Sequence, residues 1–248
     1  MPRLLIIIIP FMSKSKLNVI ELFSGKGTIS NAFRNSGHNT LSIDCRFRKG
    51  TCEPNLKADI FDLEFSDIFN AFQNKYPGDS SIDIVWASVP CQIWSHAAGN
   101  THFRNNLINS SGAVQSIKLL NKTLSLISEI NPVLYFLENP RGHLRYWKPL
   151  IDWLVLKNGM IKQTSWGSYG FPTPKPTNIF TNAHSFKLRS MAPFGRGAKS
   201  NSYFNKMTVV QRQTIPQAFS QELVSHCEMS LDLSLPIYEA HKFTPYSS

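Results

Sequence analysis

Between residues 17 and 137, short apolar runs alternate with stretches of helical periodicity, and this alternation leaves few folds open. Residues 17–23 form an apolar run stopped by Ser24-Gly25, which reads as a buried strand. Ile29, Ala32 and Phe33 then recur at helical spacing until Gly37. Residues 40–44 read as a second strand, 58–60 lie near the end of a third, and 65–75 form a helix. A fourth strand covers 82–87 and ends at Ser88-Val89-Pro90-Cys91. A long amphipathic helix spans 112–130, and a fifth strand spans 132–137 and ends at Glu138-Asn139-Pro140. A helix over 146–158, strands over 161–168 and 177–181, an irregular stretch over 184–212 and a helix over 216–229 complete the pattern. The expected fold is α/β, a doubly wound, mostly parallel sheet.

Such sheets place their ligands beyond the carboxyl ends of the strands, near the switch in strand order. The residues there are Phe23-Ser24-Gly25-Lys26-Gly27, Asp44, Asp59-Ile60, Pro90-Cys91 and Glu138-Asn139. Apart from Phe23 and Ile60 they are polar, glycine, proline or cysteine, as a site requires.

Charge adds a partner class. Lys and Arg number 26 against 16 Asp and Glu, a formal +10, which points to a polyanion such as nucleic acid. From Trp153 to Gln221 there is no acidic residue, while nine Lys and Arg fall in that stretch. Among them are Lys187, Arg189, Arg196, Lys199 and Lys206, interleaved with Phe186, Phe194, Tyr203 and Phe204, which suits phosphates and stacked bases. The four cysteines lack Cys-x-x-Cys spacing, so no structural metal site is expected and the thiols read as reduced and intracellular, in cytoplasm, nucleoid or nucleus. The apolar run 4–9 is too short to span a membrane. Met12 opens a second plausible start, so residues 1–15 are expected to be an extension. The remaining division is a catalytic and cofactor-binding domain over 16–182, a short basic target-recognition segment over 183–214, and a helix with a tail over 215–248.

Five strand ends carry chemistry. The glycines after the first strand let a ligand approach the backbone, and Asp44, about 20 residues on, can accept from ribose hydroxyls. Asp59 can accept from an adenine amino group or simply cap a turn. No third glycine and no phosphate-loop lysine is present, so a nucleoside such as S-adenosylmethionine fits better than NAD or ATP. Cys91, at a strand-to-helix junction, is a candidate nucleophile whose thiol a helix amino terminus would acidify. Glu138 faces the same crevice and suits acid catalysis or base recognition.

The order Glu-Leu-Phe-Ser-Gly-Lys-Gly, Asp44, Pro-Cys-Gln-x-x-Ser and Glu-Asn-Pro resembles the DNA cytosine-5 methyltransferase family, compact phage and viral members included. Tyr169-Gly-Phe-Pro and Ile215-Pro-Gln-Ala-Phe-Ser extend the resemblance, which covers about residues 17–228. It implies a Rossmann-like methyltransferase fold with a reduced target-recognition segment, and S-adenosylmethionine as cofactor. It also implies Cys91 as the nucleophile toward C6 of a flipped-out cytosine and Glu138 as the acid at N3. Phe23, Ser24, Gly25, Gly27, Asp44, Cys45, Asp59, Ile60 and Pro90 match cofactor-contact positions. Gln92, Ser95 and Arg141 join the basic residues above as nucleic-acid contacts. Where the family carries Gln-x-Arg-x-Arg, this chain has Thr173, Lys175 and Thr177, which leaves Lys175 to support the flipped base. DNA is the expected substrate of a monomer or weak dimer that needs no metal or membrane. RNA as the substrate, a free-nucleotide methyltransferase and a weakly catalytic nucleic-acid-binding protein are the alternatives.

Overall fold

The computed structural model describes residues 15–47, 51–79, 81–95, 101–104, 107–191 and 206–231. A seven-stranded sheet forms its centre, built from β1 (Asn18–Leu22), β2 (Asn39–Asp44), β3 (Leu56–Lys57), β4 (Ile84–Ser88), β7 (Leu134–Pro140), β8 (Met160–Ser165) and β9 (Pro176–Thr181). The strand order is β3-β2-β1-β4-β7-β9-β8. All neighbours pair in parallel except β9, which runs antiparallel to both β7 and β8. A small antiparallel pair, β5 (Phe103–Arg104) with β6 (Leu107–Ile108), lies outside this sheet and was not expected from the sequence.

Strand alternation sorts the core into two layers. Ile20, Leu22, Val85, Ala87, Tyr135 and Leu137 point to one face. They pack there on α2 (Phe65–Lys75), α3 (Ser111–Ile130) and α4 (Lys148–Leu156) through residues such as Phe72, Leu124 and Leu154. Val19, Ile84, Trp86, Leu134 and Phe136 point to the other face, against Ile29 and Phe33 of α1 (Thr28–Asn35). The same face meets Phe219, Leu223 and Cys227 of the last helix, α6 (Gln217–Ser230). The strands read as nearly unbroken apolar runs because both faces are covered.

Several boundaries differ from expectation for identifiable reasons. Glu138, Asn139 and Pro140 lie within β7 rather than after it, because β9 pairs alongside and extends the strand to Pro140↔Thr177. The expected strand over 161–168 ends at Ser165, where a 3-10 turn at Trp166–Tyr169 takes over. The described part of the irregular stretch includes a helical turn, α5 (Val209–Arg212), nucleated by reciprocal capping between Thr208 and Gln211. The packed core runs past Asn182. Phe186 is buried, stacks on His226 and meets Phe219 edge-on. Arg196, Lys199, the rest of residues 192–205 and residues 1–14 lie outside the described residues. No helix among the described residues is long and apolar enough to cross a membrane.

Candidate active site

The turn after β1 reverses tightly, with Phe23, Gly25 and Gly27 all at positive φ. Its hydrogen bonds come from Ser24 N–H to the Ile43 carbonyl (3.0 Å) and from Gly27 N–H to the Ser24 carbonyl (2.6 Å). Gly27 opens α1 without a capping side chain. Glu21 of β1 does that work instead, accepting from the N–H groups of Ser30 at 2.8 Å and Ile29 at 3.4 Å. Burial pushes Glu21 up to about 7, against the pull of those two donors.

Asp44, at the end of β2, accepts from Gly25 N–H at 2.9 Å with one oxygen and from Arg46 N–H at 3.0 Å with the other. It therefore couples the glycine turn to the next strand while still lining the cavity. Cys45 lies beside it, its thiol pushed up by burial and by the charges of Asp44 and Asp59. Asp59 caps the 3-10 turn Ile60–Asp62 by accepting from Phe61 N–H at 3.1 Å.

Cys91 follows β4, and here the structure corrects the sequence. Residues 91–95 form a turn, with Trp94 and Ser95 N–H both donating to the Cys91 carbonyl at 3.1 Å, where the sequence reading expected a helix to start. Burial and the neighbouring Glu138 raise its pKa, and Lys175 and Arg212 only partly offset this. The expected acidified thiol is absent because desolvation outweighs the nearby cations.

The Cys91 turn is locked onto β7. Asn139 Nδ2 donates to the Val89 carbonyl at 2.9 Å, and His143 N–H donates to the Trp94 carbonyl at 2.7 Å. Ser95 bridges Gly142, where a Cβ would stand 1.9 Å from the Trp94 oxygen. Only glycine allows that approach. The lock sets Cys91 beside Glu138, whose carboxyl is buried and raised by desolvation, with Lys175 and Ser88 pulling it back. Lys175, at positive φ, donates from Nζ to the Arg212 carbonyl at 2.7 Å. Thr173 and Thr177 are buried beside it and carry no charge.

Cys91, Glu138, Lys175 and Thr173 line one cavity of about 1430 Å3. Of the residues singled out in the sequence, Phe23, Ser24, Gly25, Asp44, Cys45, Asp59, Ile60, Pro90, Cys91, Gln92, Ser95, Glu138, Arg141 and Lys175 all border it. Gly27 shapes the turn but does not border the cavity. Lys206 borders a neighbouring hollow of about 820 Å3 with Lys26. Lys187 and Arg189 border neither. Arg189 is ion-paired with Glu222 at 2.5 Å and lies 4.8 Å over the Tyr169 ring. Sequence reasoning missed four contributors: Glu21 as a cap, Ser88, Gly142 and Arg212. Only Gly142 left a signal, as a glycine in Glu-Asn-Pro-Arg-Gly with no turn to explain it. Among the described residues, no group of three His, Cys, Asp or Glu could hold a metal.

The C-5 cytosine-specific DNA methylase family model matches residues 17–146. No curated protein matches the sequence. Solved structures similar to the chain include a putative DNA modification methyltransferase encoded within an E. coli prophage. It has 18% identity and a TM-score of 0.48, covering 70% of this chain and 49% of that one. The Entamoeba histolytica methyltransferase EhMeth has 19% identity and a TM-score of 0.47, covering 72% and 57%. A mutant of Spodoptera frugiperda DNMT2 has 17% identity and a TM-score of 0.44, covering 71% and 53%. The chain thus spans about half the length of the solved structures it matches.

Proposed function

The chain belongs to the C-5 cytosine-specific DNA methylase family, and from that premise we propose that it methylates C5 of cytosine in DNA. Its sheet has the Rossmann-like methyltransferase architecture, and the family implies S-adenosylmethionine as methyl donor. The observation that carries the reading is the convergence of Cys91, Glu138 and Lys175 on one cavity with the Phe23–Gly25 turn and Asp44.

The cavity suits that cofactor. Phe23, Ile43 and Ile60 offer apolar walls for a purine, and Glu21, Asp44 and Asp59 offer carboxylates to a ribose and to positive charge. Its volume exceeds the roughly 300–1,000 Å3 of a single small-ligand site, leaving room for a base beside the cofactor. A base inside a duplex cannot reach Cys91, so the target nucleotide is flipped out. Gln92 and Arg141, exposed at the cavity, face the strand it leaves.

Glu138, whose neutral form burial favours, donates a hydrogen bond to N3 of the cytosine. That draws electrons from C6. The Cys91 thiol gives up its proton to solvent as its sulfur adds to C6, and Lys175 stabilises the thiolate as it forms. The adduct makes C5 nucleophilic, and bound S-adenosylmethionine would supply the methyl group, its sulfonium becoming the thioether of S-adenosylhomocysteine. Loss of the C5 proton to a base or solvent restores the double bond and expels Cys91 as thiolate.

The test is incorporation of labelled methyl into matched DNA and RNA oligonucleotides of varied sequence. Label in DNA cytosine is expected. Label in RNA alone would move the substrate to RNA, and label in neither would leave a nucleic-acid-binding protein.

A further inference from the structure

A second hollow, of about 820 Å3, opens beside the active cavity and has no part in the chemistry above. Lys26, Thr28 and Ile215 border both volumes, so the two meet at the start of α1. The hollow continues between α1 and the start of α6, with Asn35 on one helix and Gln217 and Gln221 on the other. Its size falls within the roughly 300–1,000 Å3 of a single small-ligand site.

The border has a consistent chemistry. Lys26 and Lys206 stand on it, and no Asp or Glu among the described residues does. Asn35, Gln217 and Gln221 are exposed amides, each able to donate and accept at once. Gln217 and Gln221 are one turn apart and share a face of α6. Phe171 adds a half-buried aromatic ring. Cations take phosphates, amides pair with base edges and aromatic rings stack on base faces, so the set fits a nucleotide. The walls assigned above to the cofactor, Phe23, Asp44 and Asp59, border the larger cavity and not this one.

We propose that the hollow takes the nucleotide next to the target cytosine in the same strand, with a phosphate over Lys26 and the base among Asn35, Gln217 and Gln221. A nucleotide seated there has left its partner, so two neighbouring nucleotides leave the stack rather than one. Unpairing costs free energy, least for a base that is already mismatched. The inference rests on the methyltransferase reading and deepens it, by naming a substrate unpaired beside the cytosine.

The experiment uses duplexes built around one cytosine that differ only at the position beside it, on either side. That position carries a paired base, a mismatched base or an abasic sugar. Binding is read by fluorescence anisotropy for wild type and for Gln217→Trp and Gln221→Trp, whose indoles would fill the hollow from exposed positions. Melting curves check folding, and methylation is followed in parallel. Wild type is expected to bind the mismatched duplex about tenfold more tightly than the paired one, on one side of the target only, near the low end of what a stacked base contributes. The abasic duplex should lose that gain, having no base to seat. The Trp variants should bind all three duplexes alike, with KM for S-adenosylmethionine unchanged. An abasic duplex bound as tightly as the mismatched one would overturn the proposal, because loosened stacking alone would explain the gain. So would a wild type that does not discriminate the duplexes, or a preference that survives in the folded Trp variants. Trp variants that raise KM for S-adenosylmethionine and keep the preference would hand the hollow to the cofactor. Wild-type protein that methylates no cytosine substrate would instead sink the methyltransferase reading, and this inference with it.

Discussion

Gly142→Ala should cost more stability than its single methyl suggests. The added Cβ would stand 1.9 Å from the Trp94 carbonyl oxygen and 2.8 Å from Ser95 Cα, both backbone atoms. Ordinary contact begins near 3.4 Å, so the two segments must separate by about 1.5 Å. Separation breaks the hydrogen bond from His143 N–H to the Trp94 carbonyl, a loss of about 1 kcal/mol. It also lifts Trp94 from the rings of Phe103 and Trp147, now 5.3 and 5.9 Å away. Overpacking of this kind costs ~1–3 kcal/mol, so the total comes to about 3 kcal/mol. Urea unfolding is the assay, and with a slope of about 2 kcal/mol per molar the midpoint should fall by roughly 1.5 M. Gly112→Ala is the control. It lies within α3 with no atom closer than 3.8 Å to the new Cβ, and should gain about 0.5 kcal/mol. A Gly142→Ala protein within about 0.5 kcal/mol of wild type would refute the locking argument.

Further outcomes follow from the same geometry. Asp44→Ala should weaken S-adenosylmethionine binding by roughly 1–3 kcal/mol in calorimetry, and an unchanged Kd would remove Asp44 from the cofactor site. Iodoacetamide labelling of Cys91 should have its midpoint above that of an ordinary thiol, lowered by Glu138→Gln and raised by Lys175→Gln. The reverse order would contradict the assigned charges. Burial holds Glu21 near 7, above its ordinary 4.5, so between those pH values the folded state keeps a proton that the unfolded chain releases. Stability should therefore fall as pH rises through that window, by about 3 kcal/mol at most, and Glu21→Gln should flatten the slope in urea titrations.

The sheet was legible in the sequence because its strands are buried on both faces and read as apolar runs, each closed by a turn residue. The site was legible for the same reason: strand ends on a parallel sheet converge, so Asp44, Cys91 and Glu138 met in one cavity. What escaped depends on partners distant in the chain. The length of β7 is set by β9, some forty residues later. The Cys91 thiol was expected to be acidified by a helix, and the structure places a turn there in a desolvated pocket. Arg189 read as a free cation, yet Glu222 and Tyr169 engage it, which no local pattern announces. Gly142 is glycine because of Trp94, a contact across 48 residues.

The central claim is that Cys91 attacks a cytosine ring beside Glu138. Incubation with a 5-fluorocytosine duplex and S-adenosylmethionine, followed by denaturing mass spectrometry, tests it most directly. Fluorine at C5 cannot leave as a proton does, so the adduct should be trapped, map to the Cys91 peptide and vanish in Cys91→Ala. An adduct that forms on another residue, or methylation retained by Cys91→Ala, would contradict the account.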